Sequence, residues 1–202
     1  GTGTGTESLL MGNGTWTVGG TVDLTAGTVT AGNSTLIMNG TTKNLIGYGQ
    51  TLNNLTIGGT ITAATDNVAV SGVLTVDSSK TLTITTVYVY MNASSTTTIN
   101  GTITGTGTLE LIDSAGANLS TTGTLSSKVR FNTVSQDVVV LERTYGGVVE
   151  FYNNTASTYT VTLATTTSQT ITFQNNFNPM ANSSGNIIID GATNNPTINI
   201  TG

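Results

Sequence analysis

The sequence predicts an all-β protein folded as a single parallel β-helix, or β-solenoid, of about ten rungs of about 19–20 residues each. Three observations predict this fold. The composition favours strands, short segments alternate apolar and polar residues, and these segments recur at a nearly constant spacing along the whole chain. We expect residues 1–14 to form a Gly/Thr-rich lead-in or cap and residues 15–202 to form the solenoid.

The composition excludes an ordinary helical protein. The 202 residues include 46 Thr, 16 Ser and 21 Asn, and only 7% of the residues are charged. Threonine favours half-buried pleated strands, and no window shows the 3.6-residue apolar period of an amphipathic helix. The sequence therefore predicts strands throughout, with a surface made polar by hydroxyl and amide side chains.

Four-residue units with apolar second and fourth positions recur with a mean spacing of about 19 residues. The units of the first series begin at Thr15, Thr35, Asn54, Val73, Tyr88, Thr108, Lys128, Val148, Thr170 and Asn186. Those of a second series begin at Thr21, Thr42, Thr60, Thr81, Thr102, Asn118, Val138, Thr158 and Thr197. Two strand positions per period predict that each strand pairs in parallel with its copy one rung later.

Alternation along a strand points the second and fourth positions of each unit into the rod. One inward column is predicted to contain Trp16, Leu36, Leu55, Leu74, Val89, Leu109, Val129, Val149, Ile171 and Ile187. The other is predicted to contain Val18, Met38, Ile57, Val76, Met91, Leu111, Phe131, Phe151, Phe173 and Ile189. We further expect the Gly-Gly pairs 19–20, 58–59 and 146–147 to adopt positive φ at corners.

Charge and residue types exclude several functions. The net charge is −5 and no basic stripe exists, so we expect no nucleic-acid partner. The chain has no cysteine and no histidine, and its glycine pairs lack the aspartate spacing of calcium-binding nonapeptide repeats. No apolar run approaches the roughly 18 residues that cross a membrane. We therefore predict no metal, no cofactor and no membrane span.

Three stretches carry a resemblance to a known class of sequence: "GTWTVGGTVDLTAGTVTAGNSTLIMNGTTKNL", "TLNNLTIGGTIT" and "RTYGGVVEFYNNTASTYTVTLATTTSQTITF". They resemble the Thr/Gly-rich β-solenoid repeat segments of large secreted and cell-surface, adhesin-like proteins and of phage tail fibres. The resemblance covers nearly the whole chain but concerns only composition and repeat spacing, and it includes no functional motif. It implies a stalk, fibre or adhesin-like role outside the cell, at a cell surface or on a virion.

Glu110, Arg130 and Glu150 take the same outward position in three successive rungs. Inverting glycoside hydrolases hold two carboxyl groups roughly 6.5–9.5 Å apart and need one of them protonated. An arginine between the two carboxylates would keep both ionised. We therefore expect a solvated, structural charge ladder that contributes little stability, and no catalytic residue.

A second outward pattern repeats Thr-x-Thr in successive rungs. Its members are Thr60, Thr62, Thr81, Thr83, Thr102 and Thr104, with Thr158 and Thr160 as a later copy. Asn118, Ser120, Val138 and Val140 are expected to interrupt the array. A flat Thr-x-Thr array resembles the ice-binding face of solenoid antifreeze proteins, whereas the structural alternative is that threonine is simply a soluble strand former.

Asn-x-Ser/Thr sequons offer N-glycosylation sites on an extracellular rod. They begin at Asn13, Asn33, Asn39, Asn54, Asn92, Asn100, Asn118, Asn153, Asn182 and Asn199.

The sequence thus predicts a non-enzymatic, extracellular structural or adhesive solenoid, a segment or subunit of a surface fibre or filament. One alternative is an ice-binding protein that uses the Thr-x-Thr face. The other is a tail-spike-like β-helix that binds or degrades polysaccharide, with surface glycans as partners. Because neither end of the sequence offers a polar cap, we expect the rod to continue at one or both ends. Further repeats of the same chain or a second copy docked end to end would supply that continuation.

Overall fold

Parallel strands stacked turn upon turn form the described structure. The structure is a computed structural model that describes residues 7–153, 155–179 and 185–201. These residues contain 26 β-strands and one short 3-10 helix, Asp113–Asn118. The strand pairs are parallel and join positions one turn apart. The predicted all-β parallel solenoid is therefore confirmed.

Each turn contributes up to three strands, which lie on three faces of the rod. Face 1 contains β1 (Glu7–Leu10), β4 (Gly27–Thr30), β7 (Gln50–Leu52), β10 (Val68–Val70), β13 (Tyr88–Met91), β16 (Thr108–Ile112), β18 (Lys128–Thr133), β21 (Val149–Asn153) and β24 (Phe177–Pro179). Face 2 contains β2 (Thr15–Val18), β5 (Thr35–Met38), β8 (Asn54–Ile57), β11 (Val73–Val76), β14 (Thr96–Ile99), β19 (Val138–Val140), β22 (Tyr159–Leu163) and β25 (Ile187–Asp190). Face 3 contains β3 (Val22–Asp23), β6 (Thr41–Ile46), β9 (Thr60–Ala63), β12 (Thr81–Ile84), β15 (Thr102–Thr104), β17 (Thr124–Leu125), β20 (Arg143–Tyr145), β23 (Thr170–Phe173) and β26 (Thr197–Ile200).

Further backbone and side-chain contacts extend the sheet segments on faces 1 and 2. On face 1, the Gln50 side chain bonds both Val29 N and Gly27 O, and so links β7 to β4. On face 2, Leu119 forms an isolated parallel bridge with Thr97 in the turn that lacks a strand there. The strands occupy nine successive levels, and β1 and β24 lie on face 1 eight turns apart. The prediction of about ten rungs is therefore slightly too high.

The prediction of two strand positions per turn is wrong, because each turn has three. The first predicted series follows face 2 as far as β11 and then moves to face 1 at β13. It continues on face 3 at β23 and returns to face 2 at β25. Strands on all three faces share the same alternating pattern, so the pattern alone does not show which face a strand occupies.

The inward orientation of the predicted columns is correct over most of the rod. The sixteen predicted core residues from Leu36 to Phe173 are all buried. The exceptions lie in the end turns, where Trp16 is 40% exposed and Ile189 is 37% exposed. The described structure contains no turn that would cover these side chains.

The rod widens toward its C-terminal turns. Thr15 pairs with Thr35, 20 residues later, whereas Val149 pairs with Phe177, 28 residues later. Aromatic rings fill the wider interior. The cluster contains Phe131, Tyr145, Phe151, Phe173 and Phe177, whose contacting rings have centroids 5.0–6.0 Å apart.

Glycine pairs at the corners serve close approach rather than positive φ. Gly59 is not among the residues with positive φ, and a Cβ added to it would overlap the backbone oxygen of Gly40 one turn below. A Cβ on Gly40 would in turn overlap the backbone oxygen of Gly19. The expectation of positive φ at the pairs 19–20, 58–59 and 146–147 is therefore wrong.

Candidate functional site

The outward side of face 3 carries stacked threonines. The register places Thr60, Thr81 and Thr102 in one column, and Thr62, Thr83 and Thr104 in a second column beside it. Thr41 extends the first column on one side and Thr124 extends it on the other. We name the six central residues, Thr60, Thr62, Thr81, Thr83, Thr102 and Thr104, the threonine array.

The array is less interrupted than the sequence predicted, and its first column extends to Thr41 and Thr124. Asn118 and Ser120 flank the Leu119 bridge on face 2, and Val138 lies in β19 on the same face. None of these residues therefore interrupts face 3. Thr160 also lies on face 2, where it pairs with Ile188, and Thr158 immediately precedes that strand. Thr158 and Thr160 are thus not part of the array, and this element of the prediction is wrong.

The array leaves its hydroxyl groups to solvent. Within the described structure, the hydroxyls of Thr60, Thr62, Thr81, Thr83 and Thr102 make no side-chain hydrogen bond, while Thr104 Oγ1 accepts one from Ser126 Oγ at 3.1 Å. The strands β9, β12, β15 and β17 contain no charged residue. The surface is therefore neutral, and its polarity comes from hydroxyl groups.

The outward side of face 1 carries the predicted charge ladder. Glu110 pairs in register with Arg130, and Arg130 pairs with Glu150. Arg130 Nη2 lies 2.8 Å from Glu150 Oε2, and Arg130 Nη1 lies 3.5 Å from Glu110 Oε2. Lys128 Nζ and Asn132 Nδ2 add bonds of 3.3 Å to Glu150 and 2.7 Å to Glu110.

The expectation that this ladder is solvated is wrong. Glu110 is only 4% exposed and Glu150 only 8%. The Arg130 guanidinium lies 5.3 Å from the ring centre of Tyr88 and 4.7 Å from that of Tyr152, which shields the ion pairs. Neither tyrosine was singled out from the sequence, because Tyr88 lies two turns from Arg130 along the rod.

Burial alone would lower the pKa of Arg130. The hydrogen bond to Glu150 and the negative charges of Glu150 and Glu110 outweigh burial, and the net effect raises the pKa. Arg130 and Lys128 together supply two positive charges for the two carboxylates, and with Asn132 they bond all four carboxylate oxygen atoms. This arrangement favours a structural ion-pair cluster over an acid–base pair.

A buried arginine that sequence analysis missed lies inside the rod. Arg143 is 6% exposed, and its Nη1 donates to Ser120 O at 2.6 Å. Burial lowers its pKa, and the described residues provide no carboxylate partner for it. The Tyr145 side chain, two residues later, also points into the rod, and burial raises the pKa of its phenol. The alternation in "RTY" is the signal that would have placed Arg143 inside, beside Tyr145.

Most sequon asparagines lie on or near the surface, with one clear exception. Asn153 is completely buried, and its Nδ2 donates to Ser157 O at 2.8 Å and to Asn186 O at 3.3 Å. A glycan on Asn153 is incompatible with this geometry. Asn182 lies outside the described residues. The exposed sequon positions are Asn13, Asn33, Asn39, Asn100 and Asn199, while Asn54, Asn92 and Asn118 are half-buried.

The described residues contain neither a cluster of metal-ligating side chains nor a membrane-spanning helix. No three His, Cys, Asp or Glu side chains in the described ranges lie close enough together to hold a metal ion. No helix in those ranges is long and apolar enough to cross a membrane.

Comparison with known proteins gives no relative. No protein-family model matches the chain, and neither a curated protein nor a solved structure matches it.

Proposed function

We propose that this protein is a non-enzymatic structural rod, an extracellular segment or subunit of a surface fibre or filament. The observation that carries the proposal is that the strands at both ends of the described rod have an unpaired edge. In the described structure, β1, β2 and β3 each pair on one edge only, and so do β24, β25 and β26. Each end of the described rod thus presents unpaired backbone groups beside an apolar interior.

Core-type side chains are exposed at both ends. Ile198 and Ile200 pair with the buried Ile171 and Phe173, yet they are 40% and 61% exposed because no described turn lies above them. At the other end, Trp16 pairs with the buried Leu36 but is 40% exposed. Exposed apolar groups of this kind favour association.

A second copy of the chain fits these ends in strand order and direction. The faces follow one another in the same sequence in the first and last turns, and the strands are parallel throughout. Strands β24, β25 and β26 of one copy would therefore pair with β1, β2 and β3 of the next. Such a head-to-tail contact does not close and produces a filament.

The surface and the resemblance support a role outside the cell. The rod is covered mainly by Thr, Ser and Asn, with only 7% charged residues in the chain. Thr/Gly-rich solenoid segments of secreted, adhesin-like proteins and of phage tail fibres resemble this chain in composition and repeat spacing. The carboxylates of Glu110 and Glu150 are bonded to Arg130, which favours a structural role over glycan hydrolysis.

Size-exclusion chromatography with light scattering, over a range of protein concentrations, tests the proposal. The wild-type chain should form species whose mass grows with concentration. The double variant Ile198→Lys/Ile200→Lys should remain monomeric, because it places two charges on the C-terminal end. The control is Ile188→Lys in the same last turn. Ile188 is also exposed, but its side chain points outward beside Thr160 and not along the rod axis. A wild-type chain that stays monomeric at every concentration would overturn the proposal.

A further inference from the structure

We infer that face 3 is an ice-binding surface, with the threonine array as its centre and crystalline water as its ligand. This inference is independent of end-to-end assembly, because the array lies on the side of the rod. It rests on the regularity of the array, on the free hydroxyl groups and on the absence of charge in its strands.

The array has a two-dimensional repeat. Threonines within a column lie one turn apart, about 4.8 Å, and the two columns are two residues apart along the strand, about 6.6 Å. The register from β9 through β12 to β15 contains no shift. An irregularity between Thr41 and Lys43 ends the regular region on the β6 side. A rigid repeat on this scale matches a crystalline ligand better than a single flexible molecule.

The threonine side chain suits contact with ordered water. Its branched Cβ restricts χ1, so each hydroxyl and methyl group keeps a fixed direction. The hydroxyls of Thr81 and Thr83 make no side-chain hydrogen bond within the described structure, so both are available to bind water. Waters held at fixed spacing on a stiff surface lose less entropy when they join a crystal, because they are already ordered.

Faces 1 and 2 lack this combination of features. Face 1 carries the ion-pair cluster of Glu110, Arg130 and Glu150. On face 2, the corresponding outward positions include Ile37 and Val73, and the Asn54 side chain bonds Thr35 Oγ1 and Val73 N. Among the three faces, only face 3 of the described structure thus carries a neutral array in which five of six threonine hydroxyls, all but that of Thr104, make no side-chain hydrogen bond.

The chain offers a matched pair of variants within one turn. Thr83 lies between Thr62 and Thr104 on face 3. Thr75 lies between Thr56 and Thr98 on face 2. Both side chains are half-buried and point outward. Thr83→Lys and Thr75→Lys therefore remove equivalent threonine stacks and place the same charge on different faces.

Thermal hysteresis and the shape of single ice crystals should be measured for the full chain, with circular dichroism to verify folding. We expect the wild type and Thr75→Lys to shape ice and Thr83→Lys to lose that activity to the level of buffer. If Thr83→Lys does not fold, Thr102→Lys replaces it, with Thr96→Lys as the control in the same turn. A wild type indistinguishable from buffer overturns the inference, and so does an equal effect of the two folded variants.

Discussion

Arg130 donates two hydrogen bonds to the same oxygen of Glu150, from Nε at 3.0 Å and from Nη2 at 2.8 Å. The two residues are direct neighbours across β18 and β21. Because Glu150 is almost completely buried, these bonds hold a carboxylate that water cannot solvate. The ladder is therefore an ion-pair cluster whose carboxylates are buried, although it lies on the outward side of the sheet.

The first prediction concerns Arg130. Arg130→Gln should reduce the free energy of unfolding by about 3 kcal/mol, because it leaves the buried Glu110 carboxylate without an ion-pair partner and the buried Glu150 carboxylate with Lys128 alone. The loss should be similar at low and high salt, since buried pairs are poorly screened. Chemical denaturation measures it, with Lys80→Gln as the control for an unpaired charge. A loss below about 1 kcal/mol that shrinks with salt would show that the cluster is solvated.

The second prediction concerns the aromatic core. Phe151→Ala should cost about 3–5 kcal/mol by forming a cavity. Phe151 packs on Phe131 at 5.6 Å and on Phe177 at 5.2 Å between ring centres. Thermal melting should show the loss, whereas the exposed Ile188→Ala should melt near the wild type. Nearly equal melting temperatures of Phe151→Ala and the wild type would contradict the inward assignment.

The third prediction concerns the stacked corner. Gly59→Ala should destabilise the protein by about 1–3 kcal/mol, because the added methyl group meets the backbone of the turn below. Gly20→Ala is the control, since a Cβ there meets no atom within 4 Å. Equal stability of the two variants would mean that the turns are not packed as closely as described.

The fourth prediction concerns pH. Burial raises the pKa of Asp113, but hydrogen bonds from Ser135, Val134 and Gln136 outweigh burial and hold its pKa below 3.8. A carboxyl group whose pKa is lower in the folded state stabilises the protein above its unfolded pKa. That contribution disappears as the pH falls through the folded value.

Asp113→Asn should therefore be less stable than the wild type at neutral pH, by about 1–3 kcal/mol. Denaturation at a series of pH values should show the two stability curves converging in acid, below pH 3.8. A constant difference between the curves down to the lowest pH would contradict the assigned role of the Asp113 carboxylate.

The sequence predicted the class of fold and the inward side chains because both follow from local alternation. Leu55 and Leu74 do stack on face 2, as predicted. Phe173, in contrast, was expected above Phe151 but lies on face 3, where it pairs with Tyr145. Local alternation defines which side of a strand is apolar, whereas the choice among three faces depends on corner geometry.

In the candidate sites, too, features that depend on sequence spacing were predictable, whereas features that depend on contacts between turns were not. The register of Glu110 with Arg130 follows from a constant 20-residue step, and the structure has that register. The burial of Glu110 could not be predicted, because it depends on rings contributed by other turns. The threonine array was only partly predicted, since assigning Thr160 to a face requires knowing how many strands each turn contains.

Cryo-electron microscopy of the protein at high concentration tests the central claim most directly. We predict unbranched filaments one rod wide, with parallel strands perpendicular to the axis. Nine levels at about 4.8 Å each predict an axial subunit repeat of about 43 Å, with β24, β25 and β26 of one copy paired with β1, β2 and β3 of the next. Isolated monomers, or assemblies joined through their sides without this repeat, would contradict the account.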